Sequence, residues 1–205
     1  MNSLTEVNNQ VLNDFIYVPS INLYVAKKRT PLNINWFNGH GLLQNDKERM
    51  LILPEFVEFL KYLKSQPDNQ EYLEIYKDIT ERKGSWRAEW LDADFKFKDF
   101  KLYINYNHVL DSNKNLIPKN SEILNSNTLM KNKKISLENW LENPTKQGLP
   151  FDDVKDGNLF YWGPKTNNNS TMWFYTSFNK TGLSCNWSPF SFGKNFGVRR
   201  VVKKA

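Results

Sequence analysis

Cysteine and histidine are scarce: the chain of 205 residues has one cysteine, Cys185, and two histidines, His40 and His108. A single thiol excludes an internal disulfide and a cysteine-based metal cluster, which leaves Cys185 the role of a small buried hydrophobe. Long apolar runs are lacking as well; Met50 to Leu53 has four residues, and no run is longer. With the polar stretch Met1 to Asn13, this gives the expectation of a soluble chain with neither a spanning helix nor a signal peptide. Display on a cell or virion surface would then depend on a partner. Nine prolines and nine glycines are too few for a low-complexity chain. No phosphate-cradling loop, nucleophile elbow or histidine-rich metal motif occurs, so no catalytic residue, metal ligand or cofactor is assigned, and the chain is expected not to be an enzyme.

What is present is enough for one sizeable core: 40% apolar and 15% aromatic residues. A polar segment over 1–14 followed by one domain over 15–205 is the expected division. The net charge of +6 comes from short clusters at Lys27 to Arg29, Lys131 to Lys134 and Arg199 to Lys204. These are scattered and mixed with Asn, with no helix-turn-helix, zinc-finger or aromatic-basic strand signature, so no nucleic-acid partner is expected. A nucleic-acid binder would instead lose affinity steeply with salt.

Short strands are predicted at Phe15 to Val18 and Asn22 to Ala26, and a loop over Asn33 to Gly41, where Asn-Gly and Gly-His-Gly punctuate the chain. Pro54 opens a helix in which Phe56, Val57, Phe59, Leu60 and Leu63 share a face, and a second helix runs from Gln70 to about Arg82. Strands follow at Asp94 to Phe97 and Phe100 to His108. Asp111 to Lys134 reads as a long loop. Ser136 caps a short helix over Leu137 to Glu142, stapled by Ile135 and Trp140 and ended by Pro144. Two helices and a mostly β second half, opened and closed by strands that pair, make an α+β domain.

The stretch from Trp173 to Phe196 is unusual in composition: eight aromatics, four serines and three asparagines, with Lys180 and Lys194 its only charges. Neither a core element nor a disordered segment has that make-up. Binding surfaces do, combining large aromatic contact area with adaptable polar groups. Phe174, Leu183, Cys185, Phe196, Val198 and Val201 look like anchors, with Gly182, Ser184 and Asn186 on the opposite, presented face of a strand. An ordinary Ser/Asn-rich hairpin whose aromatics cover a core is the alternative.

The pattern W-F-x-T-x-x-x-x-x-x-L-x-C-x-x-x-P followed by F-G-V-R-R resembles the variable region of diversity-generating-retroelement target proteins. Gly84 to Phe95 and Gln147 to Pro164 resemble the scaffold of an archaeal or candidate-phylum branch of that family. The resemblance covers the chain from about residue 15 onward. It implies a C-type-lectin-like fold of the formylglycine-generating-enzyme-like subgroup, with a variable ligand-binding region at about 173–197. In such proteins an error-prone copy of a template scatters AAC codons. Tyr175, Ser177, Asn179, Gly182, Ser184, Asn186, Ser188, Phe190 and Phe192 are all reachable from that codon, whereas Lys180, Trp187 and Lys194 are not. The ligand-binding residues it implies are Tyr175, Ser177, Asn179, Lys180, Gly182, Ser184, Asn186, Trp187, Ser188, Phe190 and Phe192. The implied partner is a protein or cell-surface ligand, with no membrane insertion, a monomer being compatible and calcium not required.

A lectin of fixed specificity, a basic nucleic-acid-binding protein and a formylglycine-generating-type enzyme remain as alternatives. The enzyme needs a pair of cysteines, and this chain has one. Gln66-Pro67-Asp68 spells a calcium-lectin triplet, but it lies between predicted helices and no Trp-Asn-Asp follows it. Glu89, Asp92 and Asp94, with His108 near, offer carboxylates; a structural pairing with Arg87 or another cation is expected for them, and an exposed loop position for His40. Arg199 is expected to be a partly buried cation on an upstream carboxylate or on carbonyls.

Overall fold

The computed structural model describes residues 13–30, 33–46, 48–81, 86–166 and 170–204. Most of the 1–14 segment, Arg82 at the expected helix end and Gly84-Ser85 lie outside them. The first strands form as β1 (Phe15–Val18) and β2 (Leu23–Ala26), paired across a 3-10 turn at Pro19–Ile21 that closes on Asn22 at φ 52. β2 pairs antiparallel with the last strand, β12 (Arg200–Lys203), Val25 facing Val201; β12 also pairs with β3 (Arg49–Met50). The resulting sheet, β1-β2-β12-β3, joins the N-terminal strands to the C-terminal one.

The second sheet is larger. It comprises β4 (Arg87–Lys98), β5 (Lys101–Leu110), β6 (Leu116–Ile123), β7 (Lys133–Ile135), β8 (Leu159–Trp162), β9 (Ser170–Thr176), β10 (Thr181–Trp187) and β11 (Phe196–Val198). Their order is β6-β5-β4-β9-β10-β8-β7, with β11 beside β4. Pairing is antiparallel except for β8 with β10 and β11 with β4. Four α-helices are described: α1 (Trp36–Asn45), α2 (Leu53–Lys64), α3 (Gln70–Thr80) and α4 (Leu137–Glu142). None is long and apolar enough to cross a membrane.

Strand alternation divides the large sheet into two faces. Met172 and Phe174 of β9, and Leu91, Ala93 and Phe95 of β4, enter the main core with the Phe56, Val57, Phe59, Leu60 and Leu63 face of α2. Trp173 and Tyr175, with Ala88 and Trp90, turn to the opposite face and join Trp36, Met50 and Phe196 in a second, aromatic core. α4 starts where Ser136 accepts a hydrogen bond from the Asn139 N–H, and Trp140 Nε1 donates to the Gly148 carbonyl at 2.8 Å.

Four sequence expectations are corrected. The 33–41 loop is helix α1, which buries His40 where an exposed position is expected: Asn35 caps the helix by accepting from the Asn38 N–H, and Gly39 is there because a Cβ would lie 2.5 Å from Met50 Cε. The glycine is a close-packing residue inside a helix, not a breaker. The 111–134 loop contains β6, an edge strand whose exposed positions and Pro118 hide its alternation, and also β7. β4 begins at Arg87, seven residues before Asp94. The closing strand is two strands: β11 lies in one sheet, β12 in the other, and Arg199 sits between them.

Candidate ligand-binding cleft

β9 and β10 form a tight hairpin in which Ser177 N–H donates to the Lys180 carbonyl at 2.7 Å and Phe178 and Asn179 occupy the tip. In its register Ser184 lies opposite Trp173, and Gly182 opposite Tyr175. These four therefore share the face away from the main core, while Leu183 and Cys185 point into it. Strict alternation would send Trp187 inward after Cys185. The pairing shifts by one residue between Ser184 and Trp187, and this bulge turns Trp187 outward instead. Its ring stacks on Trp173, centroids 4.5 Å apart.

The bulge completes an aromatic floor. Phe196 stacks on both Trp173 and Trp90, at 4.8 and 5.1 Å, and Trp86 meets Trp173 edge-on. Above it opens a cleft of about 530 Å³ lined by Trp86, Trp162, Trp173, Tyr175 and Trp187, with Ser177, Asn179, Lys180, Ser184, Asn186 and Lys165 supplying polar groups. Trp162 Nε1 donates to Tyr175 Oη at 3.0 Å. Burial pushes the Tyr175 phenol up, against that hydrogen bond, so it stays uncharged at neutral pH. Apolar walls with a few convergent polar groups are what a small ligand or a protruding side chain needs.

Seven of the eleven residues expected at a ligand site line this cleft: Tyr175, Ser177, Asn179, Lys180, Ser184, Asn186 and Trp187. Four do not. Ser188 and Phe190 line a separate cleft of about 330 Å³, where Phe190 packs on Phe37 with ring centroids 5.1 Å apart. Phe192 is 71% exposed and lines neither. Gly182 is not presented at all: a Cβ there would lie 2.6 Å from the Phe160 carbonyl oxygen and 2.7 Å from Tyr175 Oη. Tyr175 and Ser184 are presented only in part, both being buried at the cleft floor. Phe178 at the hairpin tip is 81% exposed and lines neither cleft. The first cleft's other four lining residues, Trp86, Trp162, Lys165 and Trp173, are not among those expected. Their signal was available in the aromatic richness around Trp86 and Phe160 to Trp162, but the two segments are far apart in sequence.

Outside the cleft, Glu89 lies between guanidinium groups. Arg199 gives it Nη2–Oε1 2.6 Å and Nε–Oε2 3.1 Å, Arg87 also bonds it, and the Arg199 Nη1 donates to the carbonyls of Ala26 and Lys27. Burial alone would raise the Glu89 carboxyl; Arg199 and then Arg87 outweigh it and hold it down to about 2. Arg199 is thus a buried scaffold cation. The carboxylates take different partners: Glu89 pairs with Arg87 and Arg199, whereas Asp92 and Asp94 turn to His108. Cys185 is fully buried and burial drives its thiol far above the ordinary range. Gln66-Pro67-Asp68 lies in the turn between α2 and α3.

Compared with protein-family models, with curated proteins and with solved structures, the chain finds no match in any of the three. Its own geometry defines a mixed α+β protein with two mostly antiparallel sheets. On one face of the larger sheet it carries an aromatic-floored cleft.

Proposed function

We propose that this chain is a non-enzymatic recognition module: a rigid C-type-lectin-like scaffold that displays a ligand site in the cleft on β9 and β10, diversified by retroelement mutagenesis. The observation that carries the reading is the separation of two residue sets in one short segment. Leu183, Cys185, Phe174 and Phe196 are buried and anchor the segment, whereas Asn179 and Trp187 on the hairpin and Ser188, Phe190 and Phe192 beyond it are exposed. A site built to change its contacts without changing its fold needs that separation. The exposed aromatics supply contact area at low entropic cost, and the serines and asparagines adapt. The partner is a protein or cell-surface ligand, with aromatic or aliphatic groups entering the cleft.

The test is tolerance. In a displayed library, Ser177, Asn179, Lys180, Asn186, Trp187, Ser188, Phe190 and Phe192 are randomised together and selected against a protein never met by the scaffold, such as hen lysozyme. Most members are expected to stay folded, with melting temperatures within a few degrees of the parent, and binders are expected to emerge. A library that is largely unfolded would overturn the reading.

A further inference from the structure

On the cleft's side of the large sheet, behind Trp36, side chains from three elements converge: His40 of α1, Asp92 of β4 and His108 of β5. Asp92 is fixed at one oxygen, Oδ2 accepting from the His108 backbone N–H at 3.1 Å. Its other oxygen, Oδ1, lies 2.5 Å from His108 Nδ1 and 3.5 Å from His40 Nε2. The far nitrogen of His108, Nε2, is 3.0 Å from Asp94 Oδ1. His40 is 1% exposed, and neither of its ring nitrogens has a hydrogen-bond partner. Buried polar groups left without partners are uncommon and call for an explanation.

We propose that His40 Nε2, Asp92 Oδ1 and His108 Nδ1 bind one divalent transition-metal ion of the zinc class. Two imidazole nitrogens and one carboxylate oxygen are a recurrent three-residue set for such ions, with further positions left for water or ligand. One ligand atom from each of the three residues lies within 4.8 Å of the other two. Ligand atoms on a tetrahedral ion with bonds of ~2.0–2.1 Å stand ~3.3 Å apart. The His40–Asp92 separation of 3.5 Å is close to that, the His108–Asp92 pair has to open by under ~1 Å, and the two imidazole nitrogens, held within 4.8 Å, have to close on the ion. Asp94 takes the outer role seen around such ions: it accepts from His108 Nε2, which orients the ring and turns Nδ1 toward the ion. The ion replaces the hydrogen shared by His108 Nδ1 and Asp92 Oδ1, which leaves as a proton. A calcium ion is a poorer fit, because it takes six to eight oxygens. The smaller cleft provides an approach, reaching His108 and Asp94 between Trp36, Pro118 and Phe190. Sequence patterns conceal the set because positions 40, 92 and 108 have no local spacing.

The two histidines are the chain's only ones, so imidazole signals report on this site alone. Untagged, chelator-stripped protein is titrated with zinc chloride while the imidazole ¹H–¹⁵N correlations are followed by NMR. Both rings are expected to shift together and saturate at one equivalent, with a rise in melting temperature of several degrees. Asp92→Asn and His40→Gln should each weaken zinc binding at least tenfold with unchanged circular dichroism. Imidazole signals that stay put in excess zinc, or a shift of one ring only, would overturn the site. So would uptake undiminished in both folded variants. The titration uses the unaltered chain, so a variant that fails to fold does not leave the question open.

Discussion

Trp187 and Tyr175 both line the cleft, yet they hold different positions in the energetics. Trp187 is 40% exposed and touches the protein mainly by stacking on Trp173; Tyr175 is buried and accepts the Trp162 indole hydrogen bond. Trp187→Ala is therefore expected to leave stability within ~1 kcal/mol of the parent while removing ~2 kcal/mol or more of binding to a selected ligand, as an anchor aromatic does. Tyr175→Ala should cost ~3 kcal/mol or more of stability, as deletion of a buried ring does. Urea denaturation beside a binding titration separates the two; equal losses of stability would make Trp187 a core residue. From the sequence both looked alike, because composition reveals aromatic richness and not which ring is covered. Phe190 shows the same limit, since its partner Phe37 lies on a helix that the glycines around His40 disguised.

At the scale of elements, β10 sets which side chains are covered and which are presented. Leu183 and Cys185 were legible as anchors because they alternate with small residues, and the structure buries both. Gly182 was misplaced because small size fits either presentation or close approach, and only the neighbouring backbone distinguishes them. The parallel pairing with β8 brings the Phe160 carbonyl against it. Gly182→Ala is expected to destabilise by ~1–3 kcal/mol, the usual cost of overpacking. A neutral substitution in thermal or urea melts would show that β8 gives way. The bulge before Trp187 left no sequence mark, since it adds one residue without requiring glycine or proline. α2, with its periodic apolar face and Pro54 at its start, and α4, capped by Ser136, were readable to within a residue; β6 was not, because an edge strand needs no apolar face.

Across the whole molecule, one buried ion group joins the two sheets. Glu89 belongs to β4 of the large sheet, while Arg199 stands between β11 and β12 and also holds the Ala26 and Lys27 carbonyls at the end of β2. Its folded value of about 2 lies below the ordinary 4.5, so the unfolded chain binds the proton more readily. This contribution to stability is complete above about pH 4.5 and is lost as the pH falls from there through 2. Wild-type melting temperature should drop over that window, and Glu89→Gln, less stable at neutral pH, should show a flatter acid limb. Parallel acid limbs would remove Glu89 as the cause.

The division of that frame into fixed anchors and exposed display positions is the central claim, and variation in nature tests it most directly. The measurement is deep sequencing of the gene segment encoding residues 173–197, with flanking DNA, across the source population. Substitutions should concentrate at Ser177, Asn179, Asn186, Ser188, Phe190 and Phe192, spare Gly182, Leu183 and Cys185, and coincide with adenines of a nearby near-identical repeat. An invariant segment with no such repeat would contradict the account and leave a binding module of fixed specificity.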